Sequence, residues 1–265
     1  MNAKQENNIN KTLANTANNN LQPLEESTDP FKVFFESHKK DFQMVMPSSI
    51  KPERMLRLAI SAIRRNPELM ACDKMTVIGG VLEASSLGLE INTPLQQAYL
   101  VPFRNNKTKQ KEAQLIIGYR GYIDLFYNHP KVISVFANSV CDNDKFSYKY
   151  GTDEHLEHTQ FEGGERGEVT HFYAYVKLKN DAFRFLVLSI YDVNKIRDEY
   201  SQSYKEGGSD PWSKHYEAMG KKTVLRQLEK FIPKASESGL DRAMQNDFTS
   251  IDPLNTDNFV GEQPQ

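Results

Sequence analysis

Residues 212–234, WSKHYEAMGKKTVLRQLEKFIPK, carry Lys214, Lys221, Lys222, Arg226, Lys230 and Lys234 against only Glu217 and Glu229. The formal net charge of the whole chain is −2, so cations are concentrated here. On a helix, Lys222, Arg226 and Lys230 recur every four residues and form one ridge, with Trp212 and Met219 close to the same side. A cationic ridge beside an aromatic suits a nucleic-acid backbone and its bases; a solvated basic face on a surface helix accounts for the same composition. A second cluster, Arg104, Lys107, Lys109 and Lys111, has Glu112 as its acidic neighbour. If the chain stays extended through this stretch, Lys107, Lys109 and Lys111 share one face. Such a row releases counterions from phosphates and binds salt-sensitively without reading bases, whereas a Lys-rich loop that keeps a hairpin edge unpaired is the plainer alternative. Just beyond it, GYRGY (118–122) places Tyr119, Arg120 and Tyr122 where a guanidinium and phenol rings reach a backbone or a splayed base. Half-buried core rings are the alternative there.

Signals for catalysis are weak. The chain has no GxxxxGK[ST], no GxGxxG after a strand and no GxSxG, so no phosphate-cradling loop or nucleophile elbow is present to drive nucleotide hydrolysis or acyl transfer. No catalytic residue, cofactor or metal is expected. His155 and His158 have HxxH spacing, but in a segment of period two they point to opposite faces and no further ligand completes a zinc set. Asp142, Asn143 and Asp144 read as turn residues bonding locally, with a Mg²⁺ site of nuclease type as the alternative.

The elements that must position these residues follow from periodicity. A helix is expected over 31–42, with Asp29 as N-cap and Pro30 at its first position. A second is expected over 49–66, where Met55, Leu58, Ala59, Ala62 and Ile63 follow helical spacing up to Pro67. A third runs from a capping Asp73 to Leu87 and stops at Gly88, with Gly79, Gly80 and Ala84 leaving room for close approach by another element or a second subunit. Segments 97–104 and 112–118 then alternate as a β-hairpin around a polar, basic tip. A short helix over 120–128 is expected to turn Ile123 and Phe126 or Tyr127 inward. Strands are expected over 132–140, 145–150, 155–161, 169–178 and 183–188, followed by helices over 192–200 and over the basic stretch. The fold class is α+β: a central, mostly antiparallel sheet with a β-hairpin, packed with N-terminal and C-terminal helices.

With 265 residues and 38% hydrophobic content, the chain suffices for one sizeable core. Residues 1–28 are rich in Asn, Gln, Thr and Ala and are expected to be a disordered arm, leaving a single core over 29–234 and an acidic flexible tail over 235–265. No run approaches a membrane helix and the N-terminus lacks a secretory signal, so a cytoplasmic protein is expected. Cys72 and Cys141 show no metal-type spacing and fit buried thiols in a reducing compartment.

The order of short motifs resembles the RecT family of phage and prophage single-strand annealing proteins, over about residues 35–234. The residues that carry it are Pro94 with QAYLVPF (97–103), LIIGYRGYIDL (115–125), Asp144-x-Phe146 with Tyr148 and Gly151, His158, YAYV (173–176), and Trp212 followed by MGKKTVLRQLEKFIPK (219–234). The resemblance implies an ATP-independent, non-hydrolytic recombinase that binds single-stranded DNA, pairs it with its complement and holds the duplex in a ring or helical oligomer. It implies work beside a cognate 5′ to 3′ exonuclease in the bacterial cytoplasm, and the acidic tail adds a host single-strand-binding protein as a further expected partner. Carried over onto this chain, the resemblance points to Lys107, Lys109, Lys111, Arg120, Lys221, Lys222 and Arg226; with Arg104, Tyr119 and Lys214 from the residue clusters above they make the expected DNA-binding set, the hairpin lysines and the Lys222/Arg226 ridge being two walls of a basic groove. A metal-dependent DNA nuclease and a phage structural or assembly oligomer are the alternative classes.

Overall fold

The structure, a computed structural model, describes residues 33, 36–40, 44, 51–105, 108–201, 204, 211–235 and 238–244. The chain divides into two units, Met1–Lys39 and Lys40–Gln265. Of the helix expected over 31–42, Val33, Glu36, Ser37, Lys39 and Lys40 are helical and His38 is in a turn; its other residues, and those of the expected arm over 1–28, lie outside the described residues. No helix among the described residues is long and apolar enough to cross a membrane.

Helix α1 (Pro52–Arg65) begins with proline at its first position and buries Met55, Leu56, Ala59, Ala62 and Ile63 along one side. That stripe follows the helical period read from the sequence at Met55, Ala59, Ala62 and Ile63, with Leu56 buried and the expected Leu58 only half-buried at its edge. Asn66 then caps a 3₁₀ turn, Pro67–Ala71, by accepting from the Glu68 amide at 3.2 Å. Helix α2 (Lys74–Leu87) starts where Asp73 accepts from the Met75 and Thr76 amides, and ends at Gly88 with φ 75°, a left-handed conformation that favours glycine. Both ends match the expectation.

Strands β1 (Ala98–Arg104) and β2 (Lys111–Ile117) form the hairpin, in register from Ala98↔Ile117 to Arg104↔Lys111. Ala98, Leu100, Ala113, Leu115 and Ile117 are buried on the side packed by α2. A side chain at Gly80 would place its Cβ 2.6 Å from Leu100 Cδ1. The small-residue surface of α2 is thus used at Gly80 for packing within the chain, while Gly79 meets open space.

Helix α3 (Tyr119–Tyr127) follows, and it buries Tyr122, Leu125 and Phe126. Of the expected inward residues, Phe126 is fully buried and Ile123 half-buried, while its alternative Tyr127 is 52% exposed. Strands β3 (Val132–Cys141), β6 (Val169–Leu178) and β7 (Phe183–Ser189) make an antiparallel sheet in the order β3-β6-β7, and β4 (Lys145–Lys149) pairs with β5 (His155–Thr159) as a separate hairpin. Along β6, Phe172, Ala174, Val176 and Leu178 are buried, the alternation a half-covered sheet requires. On the other face, the hairpin leans on the sheet through Phe146 of β4 against Tyr173 at 5.7 Å and through Tyr150, just past β4, against Phe185 at 4.9 Å. The architecture is α+β with antiparallel sheets.

Helix α4 (Ile190–Tyr200) opens with a capping box between Ser189 and Asp192. The basic stretch differs from the expected single helix. It forms α5 (Pro211–Lys214) and α6 (Tyr216–Glu229), broken at His215 (φ −137°, ψ 47°). Pro233 lacks the amide that continuing to 234 needs. Ordered packing also extends beyond the expected start of the acidic tail at 235. Residues 239–244 are helical and Leu240, Ala243 and Met244 are buried, so this apolar triplet, not the acidic average, decides the local structure. The remainder of that tail lies outside the described residues.

Candidate nucleic-acid interface

Helix α6 is covered on two sides. Gly220 rests on the sheet, where a Cβ would fall 2.3 Å from Phe172 Cζ, and Val224, Leu225 and Leu228 are fully buried. On another side, Lys222 is only 7% exposed and its ammonium lies 5.6 Å from the centroid of the Tyr122 ring of α3. Seven residues on, two turns along the same side, Glu229 is buried and ion-paired with Lys234, which also pairs with Asp241 at 3.1 Å. Burial pushes the Glu229 carboxyl up. The expected ridge of Lys222, Arg226 and Lys230 is therefore not one open cationic face. Lys222 points into the protein, Arg226 is half-buried with Nε enclosed, and Lys230 is exposed and bonded to Gln227 at 2.8 Å. Lys221 is partly exposed and pairs with Glu217 at 3.5 Å. Lys214 stands exposed on α5, and Trp212, only 6% exposed, packs on Tyr216 at 5.9 Å. Its ring is in the core and not placed for stacking on a base.

The GYRGY segment is built for close approach. A Cβ on Gly118 would come 2.5 Å from Gln96 O, and one on Gly121 2.2 Å from Gln97 O; both positions leave no room for a side chain. The Gly118 amide donates to Gln97 O at 2.8 Å. The Gln97 side chain donates to Asp124 at 2.7 Å and accepts from the Glu90 amide at 2.9 Å. This framework fixes the first turn of α3, from which Arg120 projects into solvent and Tyr119 lies half-buried. Tyr99 on β1, itself partly exposed, feels the Arg120 charge, although burial dominates and raises its phenol.

At the far end of the hairpin, Arg104, Lys109 and Lys111 are all exposed. They do not form an extended row. Lys109 has φ 61° and its amide donates to Asn105 O at 2.8 Å, so the chain is turning there. Thr108 and Asn105 both donate to Glu112 Oε1, at 2.8 and 2.9 Å, which fastens the turn to β2. Lys111 lies 3.7 Å from Glu68, and Lys107 lies outside the described residues. From Lys111 to Ile117 the strand spans about 20 Å at roughly 3.3 Å per residue. The structure thus brings Lys222 and Arg120 to one short helix, α3, and holds the tip cations at the other end of β2.

A buried polar cluster escaped the sequence reading. Asp144 accepts from Arg166 Nη2 at 2.5 Å, Arg166 Nε at 3.1 Å and the Cys141 and Phe161 amides at 2.8 and 2.9 Å, and lies 3.1 Å from His158 Nε2. Arg166, then the backbone amides, hold its carboxyl far below the usual carboxylate range against the opposing effect of burial. His158 Nδ1 reaches the Tyr173 hydroxyl at 3.1 Å. These bonds pin the β4–β5 hairpin to the main sheet, and they saturate Asp144 with donors, which suits a structural carboxylate and not a metal ligand. His155 is exposed and His158 turned inward, on opposite faces as the period required. The Asp144-x-Phe146 motif was the available signal; its partner Arg166 gave none, because it arrives from a glycine-flanked loop.

The RecT family model matches residues 53–253. The chain belongs to the RecT family. It is 37% identical to Protein RecT of Escherichia coli (strain K12) over 231 residues, which is 85% of this chain and 83% of that protein. It is also 28% identical over 160 residues to the uncharacterized protein YqaK of Bacillus subtilis (strain 168), covering 60% of this chain and 52% of that one. The RecT match takes in the hairpin, α3, the Asp144 cluster and α6, and continues past Lys234 through the closing helical residues 239–244. For a RecT-family chain, the GYRGY, Asp144 and Gly-Lys-Lys motifs therefore coincide with particular close contacts: glycine against backbone, carboxylate against guanidinium, and Lys222 against Tyr122. Family membership supports a role in recombination and single-strand annealing.

Proposed function

We propose that this protein binds single-stranded DNA and anneals it to its complement without nucleotide hydrolysis, as one subunit of a ring or helical filament. The observation that carries the reading is Arg120. It is exposed at the start of a helix whose glycines lock it onto the hairpin and whose inner face holds Lys222. Annealing requires two strands to be neutralised while their base edges stay free, so cations must meet phosphate and leave sequence reading to base pairing. Arg120, Arg104, Lys109, Lys111 and Lys214 are the exposed cations that do this, with Lys107 beside them in sequence; Lys221, Arg226 and Tyr119 flank them, half-buried. Lys222 acts from beneath, as a buried charge that fixes α3 against α6. Many such short sites, aligned in an oligomer, make a continuous track. A cognate 5′ to 3′ exonuclease supplies the single strand in the bacterial cytoplasm, and a host single-strand-binding protein is a further partner. The nuclease alternative has less support, because Asp144 is engaged by Arg166 and backbone amides.

The test is equilibrium binding of a labelled single-stranded oligonucleotide across a salt series, with Arg120→Gln beside the unmodified protein. Each phosphate contact on a single strand contributes about −0.7 to the slope of log affinity against log salt. The slope should therefore be steep for the unmodified protein and shallower by about that amount in the variant. A slope near zero for the unmodified protein would remove the DNA-binding reading, and an unchanged slope in the variant would remove Arg120 from the site.

A further inference from the structure

A third basic surface lies on α1. Its charged residues are Glu53, Arg54, Arg57, Arg64 and Arg65, with Lys51 at the N-cap. With Met55, Ala59 and Ala62 buried, helical geometry puts Arg57 and Arg64 at the centre of the solvent face, two turns and about 10 Å apart. Arg54 and Arg65, eleven residues apart, lie together on one flank of that face. All four are exposed. Arg54 is tied to Glu90 through Nε at 2.7 Å and Nη2 at 2.6 Å, which anchors the first turn of α1 beside the end of α2. Arg57 and Arg65 form no ion pair among the described residues.

The composition of this face is the informative point. A face that only needs solvation is made of interspersed Lys and Glu. Here every cation inside the helix is arginine, whose planar fork suits bidentate contact with phosphate. The stripe also leads somewhere. The last turn of α1 passes through Asn66 into the 3₁₀ turn, whose Glu68 lies 3.7 Å from Lys111, and the Asp73 amide donates to Lys111 O at 2.8 Å. Arg64 and Arg65 thus stand at the end of the helix that adjoins the hairpin tip. The helix packs on this turn and α2, whereas α6 packs on the sheet and α3. The stripe is therefore set apart from Arg120 on α3.

The geometry points to the α1 arginines, Arg57, Arg64 and Arg65, as a second phosphate-backbone site that captures the incoming complementary strand while the first is held at the hairpin and α3. This rests on the annealing reading above. A strand already bound presents its own phosphates, which repel those of a second strand approaching it. A separate arginine row, at the tip end of the hairpin, offers the second strand its own neutralisation and guides it along the first.

The experiment preloads the full-length protein with one labelled oligonucleotide, adds the complement, and follows capture by fluorescence transfer across a salt series. The variants are R57Q/R64Q/R65Q and the charge-preserving R57K/R64K/R65K. If Arg64 proves necessary for folding, judged by the melting temperature, R57Q/R65Q carries the test. The expected result is an unchanged affinity for the first strand, second-strand capture slowed about tenfold, and a salt slope shallower by about 2, from three contacts of about 0.7 each; the lysine variant recovers most of the slope. Unchanged capture would overturn the proposal, leaving a solvated face. Equal loss of first-strand affinity would overturn it by merging the stripe with the first site. Faster capture would overturn it by assigning the stripe to an anionic segment such as 245–265. Absence of capture by the unmodified protein would overturn the annealing reading itself, which is seen before any variant is compared.

Discussion

The Lys222 ammonium stands 5.6 Å from the centroid of the Tyr122 ring, with both residues buried. A cation in that setting holds two helices together before it does anything else, because a desolvated cation–π contact contributes about 2 kcal/mol. Lys222→Ala should lower stability to urea by about 2 kcal/mol, Tyr122→Leu by a similar amount, and the double variant by less than the sum. Strict additivity in that double-mutant cycle would show that the two side chains do not act on each other.

The Asp144 cluster makes a prediction about acid. Its carboxyl is held well below the ordinary range by Arg166 and backbone amides, so the stability it contributes is present above the unfolded value of about 3.9 and is lost as pH falls through and below it. Asp144→Asn should cost about 3 kcal/mol near neutral pH, the scale for removing one partner of a buried pair. The difference from the unmodified protein should shrink as urea titrations are moved from pH 6 towards pH 3. A penalty of the same size at both ends would mean that the carboxylate charge is not what matters.

Two glycines separate packing from propensity. Gly121→Ala drives a Cβ to 2.2 Å from Gln97 O, a backbone atom that cannot step aside, and should cost about 2 kcal/mol or more. Gly79→Ala, inside α2 with nothing within 4 Å, should stabilise by about 0.5–1 kcal/mol because alanine is the better helix former. Thermal melts of the two variants check this, and the same sign of shift in both would contradict it.

Much of this fold was legible in the sequence because its signals are local. Asp73 and Gly88 mark both ends of α2, alternation marks β1, β2 and β6, and the tip composition marks the hairpin. What was not legible depends on partners distant in sequence. Spacing alone placed Lys222, Arg226 and Lys230 on one ridge; it could not show that α3 covers Lys222 or that Lys234 and Asp241 close over Glu229. The second buried face of α6 carries a lysine and a glutamate where a pattern search expects apolar residues. Arg166 and Asp144 are joined across a loop, so neither announces the other. The α1 arginines drew no reading from the sequence, where only the apolar positions of that helix carried the argument, although the absence of lysine among them was visible. Lys109 shows the opposite limit: its left-handed φ breaks the period-two argument inside the turn, two residues before β2 begins.

The most direct test of the central claim is the rate at which two complementary oligonucleotides pair in the presence of the protein and the absence of any nucleotide. The account predicts pairing well above the spontaneous rate, equal with and without ATP, declining steeply as salt rises, and reduced in Arg120→Gln at an unchanged melting temperature. Pairing no faster than the spontaneous rate at low salt, by folded protein, would contradict it.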